Sequence, residues 1–134
     1  MGPAFVCLLD TLQLTVHHDV VNDWLYSQWK GRHNAETVPI CAAHVFACLE
    51  ATKCRKLLSD HTELTGDWQP VAVRVGREAL AQTAARGVRA IAWVYGPDYH
   101  DQLAMYLAAR VATRPVVAIF DDLASACLWL QHTP

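Results

Sequence analysis

The second half of the chain, from residue 53 to residue 130, constrains the fold most, because apolar strand-like runs alternate there with helix-like segments. The strand-like segments are 55–62, 88–95 and 115–120. The helix-like segments are 70–86 and 98–112. The run 88–95 is too continuously apolar for a strand with one face in water, so we expect it at the centre of a sheet beside a parallel neighbour. The pattern therefore predicts successive βα units with helices packed on the sheet.

The first half predicts a hairpin followed by one helix. Residues 12–16 alternate apolar and polar side chains, and a turn at 22–23 leads into a second run over 24–29. After Pro39, residues at helical spacing mark one face: Ile40, Ala43, His44, Ala47, Cys48 and Ala51. The predicted order is ββαβαβαβα, a mixed α/β fold in which helices flank a five-stranded sheet. Residues 1–11 form either an additional strand or a loose segment.

Size and composition limit the classes of protein that the chain can belong to. Its 134 residues, 53% of them apolar, aromatic or cysteine, are enough for one domain with a substantial core. The longest apolar runs are far shorter than the roughly 20 residues of a membrane-spanning helix. A net charge of −2 without a basic stripe argues against nucleic-acid binding. The five widely spaced cysteines are typical of reduced thiols, so we expect a cytoplasmic protein, and no cofactor motif is present.

Five short motifs are distributed over residues 12–130. They are Asn22-x-Trp24-Leu25-Tyr26, Trp29-Lys30-Gly31, Leu64-Thr65-Gly66-x-Trp68, Gly87 with Ala92-Trp93-Val94, and Phe120-Asp121-Asp122-x-x-x-Ala126-x-x-Trp129-Leu130. In their order and spacing they resemble a group of small bacterial proteins with a STAS-like domain, the fold of anti-sigma-factor antagonists and of the cytoplasmic tails of sulphate transporters. The resemblance implies a non-enzymatic signalling or scaffolding module that binds another protein.

The turn before the second predicted helix departs from that family. In the antagonist branch a serine at this place is phosphorylated, and the added charge switches partner binding. Here the turn reads Thr65-Gly66-Asp67-Trp68, so no serine occupies the acceptor position, and Asp67 would repel a phosphate on Thr65. Trp68 is suited to a partner contact, because tryptophan is favoured at binding hot spots. These four residues are the predicted partner-binding or switch site.

Polar residues also follow the predicted strands, at the edge of the sheet where ligands of open α/β folds collect. They are Ser59, Asp60, His61, Tyr95, Asp98 and Asp121. Asp60 and His61 could support hydrolysis, since a carboxylate can orient a histidine base. The competing interpretation is structural: Asp98 and Asp122 are suited to cap helices, and no Gly-x-Ser-x-Gly motif presents Ser59 as a nucleophile. These six residues are therefore candidates for lining a strand-end pocket, the sequence leaves open whether such a pocket forms, and no catalytic residue is predicted.

Two further interpretations follow from the apolar composition. The chain has enough nonpolar side chains to line a pocket, so a carrier of a small molecule or lipid is the alternative to a protein-binding module. A domain of this size and composition is also compatible with a homodimer, and the sequence does not identify the interface.

Cysteine and histidine are common metal ligands, and three of them lie close together in the sequence. Cys41, His44 and Cys48 share one predicted helix face, but the cysteines are farther apart than in structural zinc sites and lie among apolar residues. Core packing is the favoured role, and no metal site is predicted. Cys54 lies between two basic residues that could lower the pKa of its thiol, although a structural role is again favoured.

Overall fold

The computed structural model describes residues 5–66, 69–97 and 114–134. The strands of these ranges are β1 (Phe5–Asp10), β2 (Leu14–Asp19), β3 (Trp24–Arg32), β4 (Lys56–Thr65), β5 (Ala90–Val94) and β6 (Val116–Phe120). Their helices are α1 (Thr37–Thr52), α2 (Gln69–Ala85) and α3 (Leu123–His132). The helix predicted over 98–112 lies outside the described residues.

A single sheet contains all six described strands in the order of the chain. β1, β2 and β3 pair antiparallel, whereas β3, β4, β5 and β6 pair parallel. The mixed α/β class is as predicted, but the sheet has six strands instead of five, because residues 5–10 form the additional strand that the sequence left open. β5 lies between two parallel neighbours and is buried along its whole length, which confirms its predicted central position.

Helices α1 and α2 cover one face of the sheet, where Leu25, Leu57 and Ile91 belong to the main hydrophobic core. α1 buries Val38, Cys41, Val45 and Leu49. The helix face that the sequence analysis marked, beginning with Ile40, is not the buried one, since Ile40 is 62% exposed. Alanine and cysteine occur on every side of α1, so spacing alone does not distinguish its faces. The branched valines and the leucine face the sheet because they remove more apolar area from water than alanine does.

Helix α3 covers the opposite face, where Ala126 and Leu130 pack with residues of β4 and β5. Asp122 caps this helix as predicted, because its carboxylate accepts a hydrogen bond from the backbone amide of Ser125 at 2.7 Å. Leu123, the first residue of this helix, is 39% exposed. α3 begins directly after the edge strand β6, so its first residue lies at the margin of the sheet.

Candidate functional site

A cavity of about 130 Å³ lies between the sheet and helices α1 and α2. β3, β4 and β5 form its floor, and the two helices form its walls. Most of its lining is apolar or aromatic, with Trp29, Phe46, Ile91 and Trp93 among the largest side chains. Glu78 of α2 also lines the cavity and is exposed to solvent, so the cavity reaches the surface along this helix.

Three polar side chains form a row on the cavity floor. Ser27 of β3 and Ser59 of β4 are register partners, and their hydroxyl oxygens lie 3.4 Å apart. Ser59 Oγ lies 2.8 Å from His61 Nε2. Side chains two residues apart share one face of a strand, which places both Ser59 and His61 on the cavity side of β4. Each is only 4% exposed, so this polar row is removed from bulk water.

The surroundings of His61 keep its imidazole neutral. Burial lowers the pKa of His61 to about 4, an effect that His33 reinforces and that the negative charge of Asp60 opposes. Trp29 lies edge-on to the imidazole with 6.1 Å between ring centroids, and the Trp93 ring lies 6.0 Å away. A neutral imidazole has one donor and one acceptor nitrogen, so the polar row has the groups needed to bind a hydroxyl or carbonyl group.

Asp60 belongs to a different polar cluster on the opposite face of β4. The Tyr26 hydroxyl donates to its carboxylate at 2.6 Å, and the Thr62 hydroxyl donates at 2.7 Å. Burial raises the pKa of Tyr26, and the hydrogen bond to Asp60 raises it further. Since neighbouring side chains on a strand alternate between faces, Asp60 and His61 point to opposite sides of the sheet. The two residues considered for hydrolysis therefore do not act together on one face of the sheet.

The remaining strand-end candidates are dispersed. β4 continues to Thr65, so residues 59–61 lie inside this strand and not, as expected, at its end. Tyr95 follows β5 and is half-buried, while Asp121 follows β6 and is exposed. Asp98 lies outside the described residues. The cavity therefore lies above the face of the sheet and not at its edge. Of the predicted strand-end residues, Ser59 and His61 line it.

Gly96 fixes the segment after β5 against the backbone of β4. A Cβ atom at Gly96 would lie 2.5 Å from the carbonyl oxygen of His61 and 2.8 Å from that of Thr62. Real Cβ atoms do not approach backbone oxygens so closely, so only glycine fits without a shift of one segment. This close approach helps to hold the position of His61.

The predicted partner-binding residues begin at Thr65, the last residue of β4, and continue into the bend at Gly66. Thr65 is exposed, and its carbonyl accepts a hydrogen bond from the His33 amide at 2.8 Å. Gly66 has φ = +111°, and a Cβ atom there would lie 2.0 Å from the His33 carbonyl oxygen, so the turn requires glycine. Asp67 and Trp68 lie outside the described residues. Partner binding at this turn stays a prediction.

The cysteine and histidine residues considered as metal ligands or reactive thiols lie in separate environments. On α1, Cys41 is buried, His44 is exposed and Cys48 is half-buried, so they do not face one common space. Burial raises the pKa of Cys54, and the charge of Asp23 raises it further. The suggested lowering by basic neighbours is therefore wrong, because the thiol lies in the core and not among those charges.

Sequence reasoning did not locate the cavity because it missed Ser27, one of the three residues of the polar row, and both helical walls. The available signal was a repeated spacing on neighbouring strands, Ser27-x-Trp29 on β3 and Ser59-x-His61 on β4. This spacing places all four side chains on one face of the sheet. The contribution of Phe46 could not be predicted, since the buried face of α1 was assigned incorrectly.

No known family model matches the chain, and no curated protein matches it. Within the described ranges, none of the helices combines the length and the apolar character needed to cross a membrane. Function must therefore be inferred from the cavity and its polar row.

Proposed function

We propose that this protein is a non-enzymatic binding domain whose cavity holds a small, neutral and largely apolar molecule. The polar row of Ser27, Ser59 and His61, set into an otherwise apolar cavity, is the observation that carries the proposal. Ligand sites commonly combine apolar and aromatic walls with a few polar groups that orient the ligand. The cavity has this composition.

The cavity volume limits the size of the ligand. At about 130 Å³ it is close to the engineered protein cavity of about 150 Å³ that binds benzene. It is well below the roughly 300–1,000 Å³ of pockets that bury drug-sized molecules. A molecule with one ring therefore fits better than a lipid with a long acyl chain, and the small-molecule form of the carrier hypothesis is favoured.

The charge distribution selects a neutral ligand. The pKa of His61, about 4, leaves the imidazole uncharged at neutral pH. No lysine or arginine occurs among the described lining residues, and Glu78 places a carboxylate at the opening. Burying a carboxylate without a cationic partner is costly. A hydroxyl or carbonyl group can instead bond to the polar row, which is worth about 1 kcal/mol.

The same features support binding over catalysis. A general base acts best when its pKa is near the working pH, and a pKa of about 4 makes His61 a weak base at pH 7. The carboxylate of Asp60 lies on the other face of the sheet, where Tyr26 and Thr62 bond to it. The Ser59–His61 pair is therefore proposed to recognise a ligand without reacting with it.

Phenol binding tests this function. Titration with phenol should change the fluorescence of Trp29 and Trp93 with a Kd on the order of 0.1–1 mM, as expected for a ligand with few atoms. Ala42 lines the cavity and is half-buried, whereas the neighbouring Ala43 is exposed and lies outside the lining. Ala42→Leu should fill the cavity and abolish saturable binding, while Ala43→Leu should bind like the parent protein.

Ligand comparisons separate recognition by the polar row from simple hydrophobic adsorption. Benzene should bind several-fold more weakly than phenol, because it cannot make the hydrogen bond. Benzoate should not bind, because the described lining residues offer no cation for its carboxylate. Circular dichroism of Ala42→Leu would verify that the variant is folded. Equal affinity for phenol and benzoate, or undiminished binding by folded Ala42→Leu, would show that the proposed function is wrong.

Protein binding at the turn after β4 is a second proposal, supported by the exposed Thr65 and by the close contact that fixes Gly66 against His33. Chemical cross-linking in a cell lysate should show a partner that is lost from Thr65→Glu and retained by the exposed control Glu63→Gln. A partner unaffected by Thr65→Glu, or no partner at all, would contradict this role.

The STAS-like resemblance and a homodimer remain predictions. All five cysteines are free, which supports a cytoplasmic location.

A further inference from the structure

A second cluster of chemically capable side chains lies where β3 and β4 begin. It consists of His18 on β2, Asp23 in the turn before β3, and Cys54 just before β4. Parallel pairing of Leu25 with Leu57 brings the starts of β3 and β4 side by side. None of the three clustered residues lines the cavity, so this cluster is separate from the proposed ligand site.

The donor atoms of this cluster converge. His18 Nε2 lies 3.1 Å from Asp23 Oδ1. One ring nitrogen of His18, one carboxylate oxygen of Asp23 and Cys54 Sγ all lie within 4.8 Å of one another. Cys54 is fully buried, His18 is partly buried, and Asp23 is exposed. The three side chains therefore surround a point that is closed on the core side and open to solvent on the other.

The hairpin turn that carries Asp23 is held in place by neighbouring side chains. Asp19 is buried, and its carboxylate accepts hydrogen bonds from the Asn22 amide at 3.0 Å and from the Asn22 side chain at 2.8 Å. Gln131 of α3 donates to Asn22 Oδ1 at 3.2 Å. The turn is thus tied to both β2 and the last helix, which fixes the backbone that presents the Asp23 carboxylate.

We propose that His18 Nε2, Asp23 Oδ1 and Cys54 Sγ bind one Zn²⁺ ion, with water as the fourth ligand. Imidazole, carboxylate and thiolate are the ligand types that zinc takes in proteins, and sites with three protein ligands keep one open position. Zinc–ligand bonds of about 2.0–2.3 Å require tetrahedral donor atoms roughly 3.3–3.6 Å apart. The His18 and Asp23 donors, 3.1 Å apart, are already close to this spacing, whereas Cys54 Sγ, within 4.8 Å of them, moves toward the ion by up to about 1.2 Å.

The charges of this arrangement also balance. One carboxylate and one thiolate neutralise the divalent ion, while the imidazole binds without charge. Buried charges are tolerated when they are paired or coordinate a metal, so Cys54 can become a thiolate in the core only with a cation beside it. Zn²⁺ supplies that cation and displaces the thiol proton to solvent.

Zinc binding can be measured on the untagged full chain by competition with a chromophoric chelator. We expect one Zn²⁺ per chain. His18→Gln, Asp23→Asn and Cys54→Ala should each weaken the affinity at least about 100-fold, since even the loss of outer-shell partners costs roughly 10–100-fold. Asp23 has φ = +56°, and asparagine tolerates this conformation, so Asp23→Asn removes the ligand charge while keeping the turn.

Matched controls distinguish this site from nonspecific binding. Cys41→Ala removes another buried thiol and His44→Gln removes another histidine, and both should bind zinc like the parent protein. Loading with Co²⁺ should give a thiolate-to-metal absorption band that Cys54→Ala lacks. The proposal is overturned if the parent protein binds no zinc, if binding survives Asp23→Asn or Cys54→Ala, or if a control variant loses as much affinity. If Cys54→Ala does not fold, folded Asp23→Asn decides the result alone.

Discussion

Acidification should destabilise this protein through His61. Burial lowers the pKa of His61 from 6.5 to about 4 in the folded protein, whereas the unfolded chain keeps the ordinary value. Between these two values the unfolded state binds a proton that the folded state excludes. The free energy of unfolding is therefore highest above pH 6.5 and falls as the pH decreases toward 4.

The size of the effect follows from the difference between the two pKa values. Each unit corresponds to about 1.36 kcal/mol, so the fall from 6.5 to about 4 is worth about 3 kcal/mol. This is a large fraction of the roughly 5–15 kcal/mol that stabilises a typical domain. Burial also lowers the pKa of His33, which acts in the same direction.

Urea unfolding between pH 7 and pH 4.5, followed by circular dichroism, measures this dependence. Carboxylates titrate in this range as well, so the informative quantity is the difference between the parent protein and His61→Gln. The parent protein should lose about 2–3 kcal/mol more than His61→Gln over this interval. His44→Gln controls for the removal of a histidine that is exposed on α1. Identical losses in the parent protein and in folded His61→Gln would refute the assignment of a buried, neutral imidazole.

Two further substitutions test how the sheet and its last helix are held. Gly96→Ala should lower the free energy of unfolding by more than about 2 kcal/mol, because the new Cβ would lie 2.5 Å from the His61 carbonyl oxygen. An unchanged urea midpoint would contradict this close approach. Asp122→Ala should lower the thermal unfolding midpoint by a few degrees, because the helix loses its cap. The control Asp121→Ala should lower this midpoint less. Equal shifts of the midpoint in the two variants would contradict the cap.

Local patterns were sufficient to predict the class of fold. The alternation over residues 12–29 predicts the β2–β3 hairpin, and the continuous apolar run over 88–95 predicts the buried position of β5. Asp122 at the start of α3 is a strong capping residue, and the structure confirms its role. In each case the deciding information lies within a few neighbouring residues.

The cavity could not be predicted in the same way, because it depends on tertiary packing. β4 lies between two parallel neighbours and has both faces covered, so its polar residues 59–61 resemble the end of a strand in the sequence although they are buried inside one that continues to Thr65. On α1, small and apolar residues surround the whole helix, so the wall formed by Val45 and Phe46 has no distinct pattern. Nothing in a single segment shows that Ser27 and Ser59 are adjacent.

A crystal structure of the protein soaked with 4-bromophenol tests the proposed binding site directly, because the anomalous signal of bromine locates the ligand. The bromine should lie in the cavity between the sheet, α1 and α2. The phenol hydroxyl should lie within about 3.2 Å of Ser59 Oγ or His61 Nε2, the range of a hydrogen bond. Bromine found only on the outer surface, with the cavity free of ligand at saturating concentration, would contradict a binding function for this cavity.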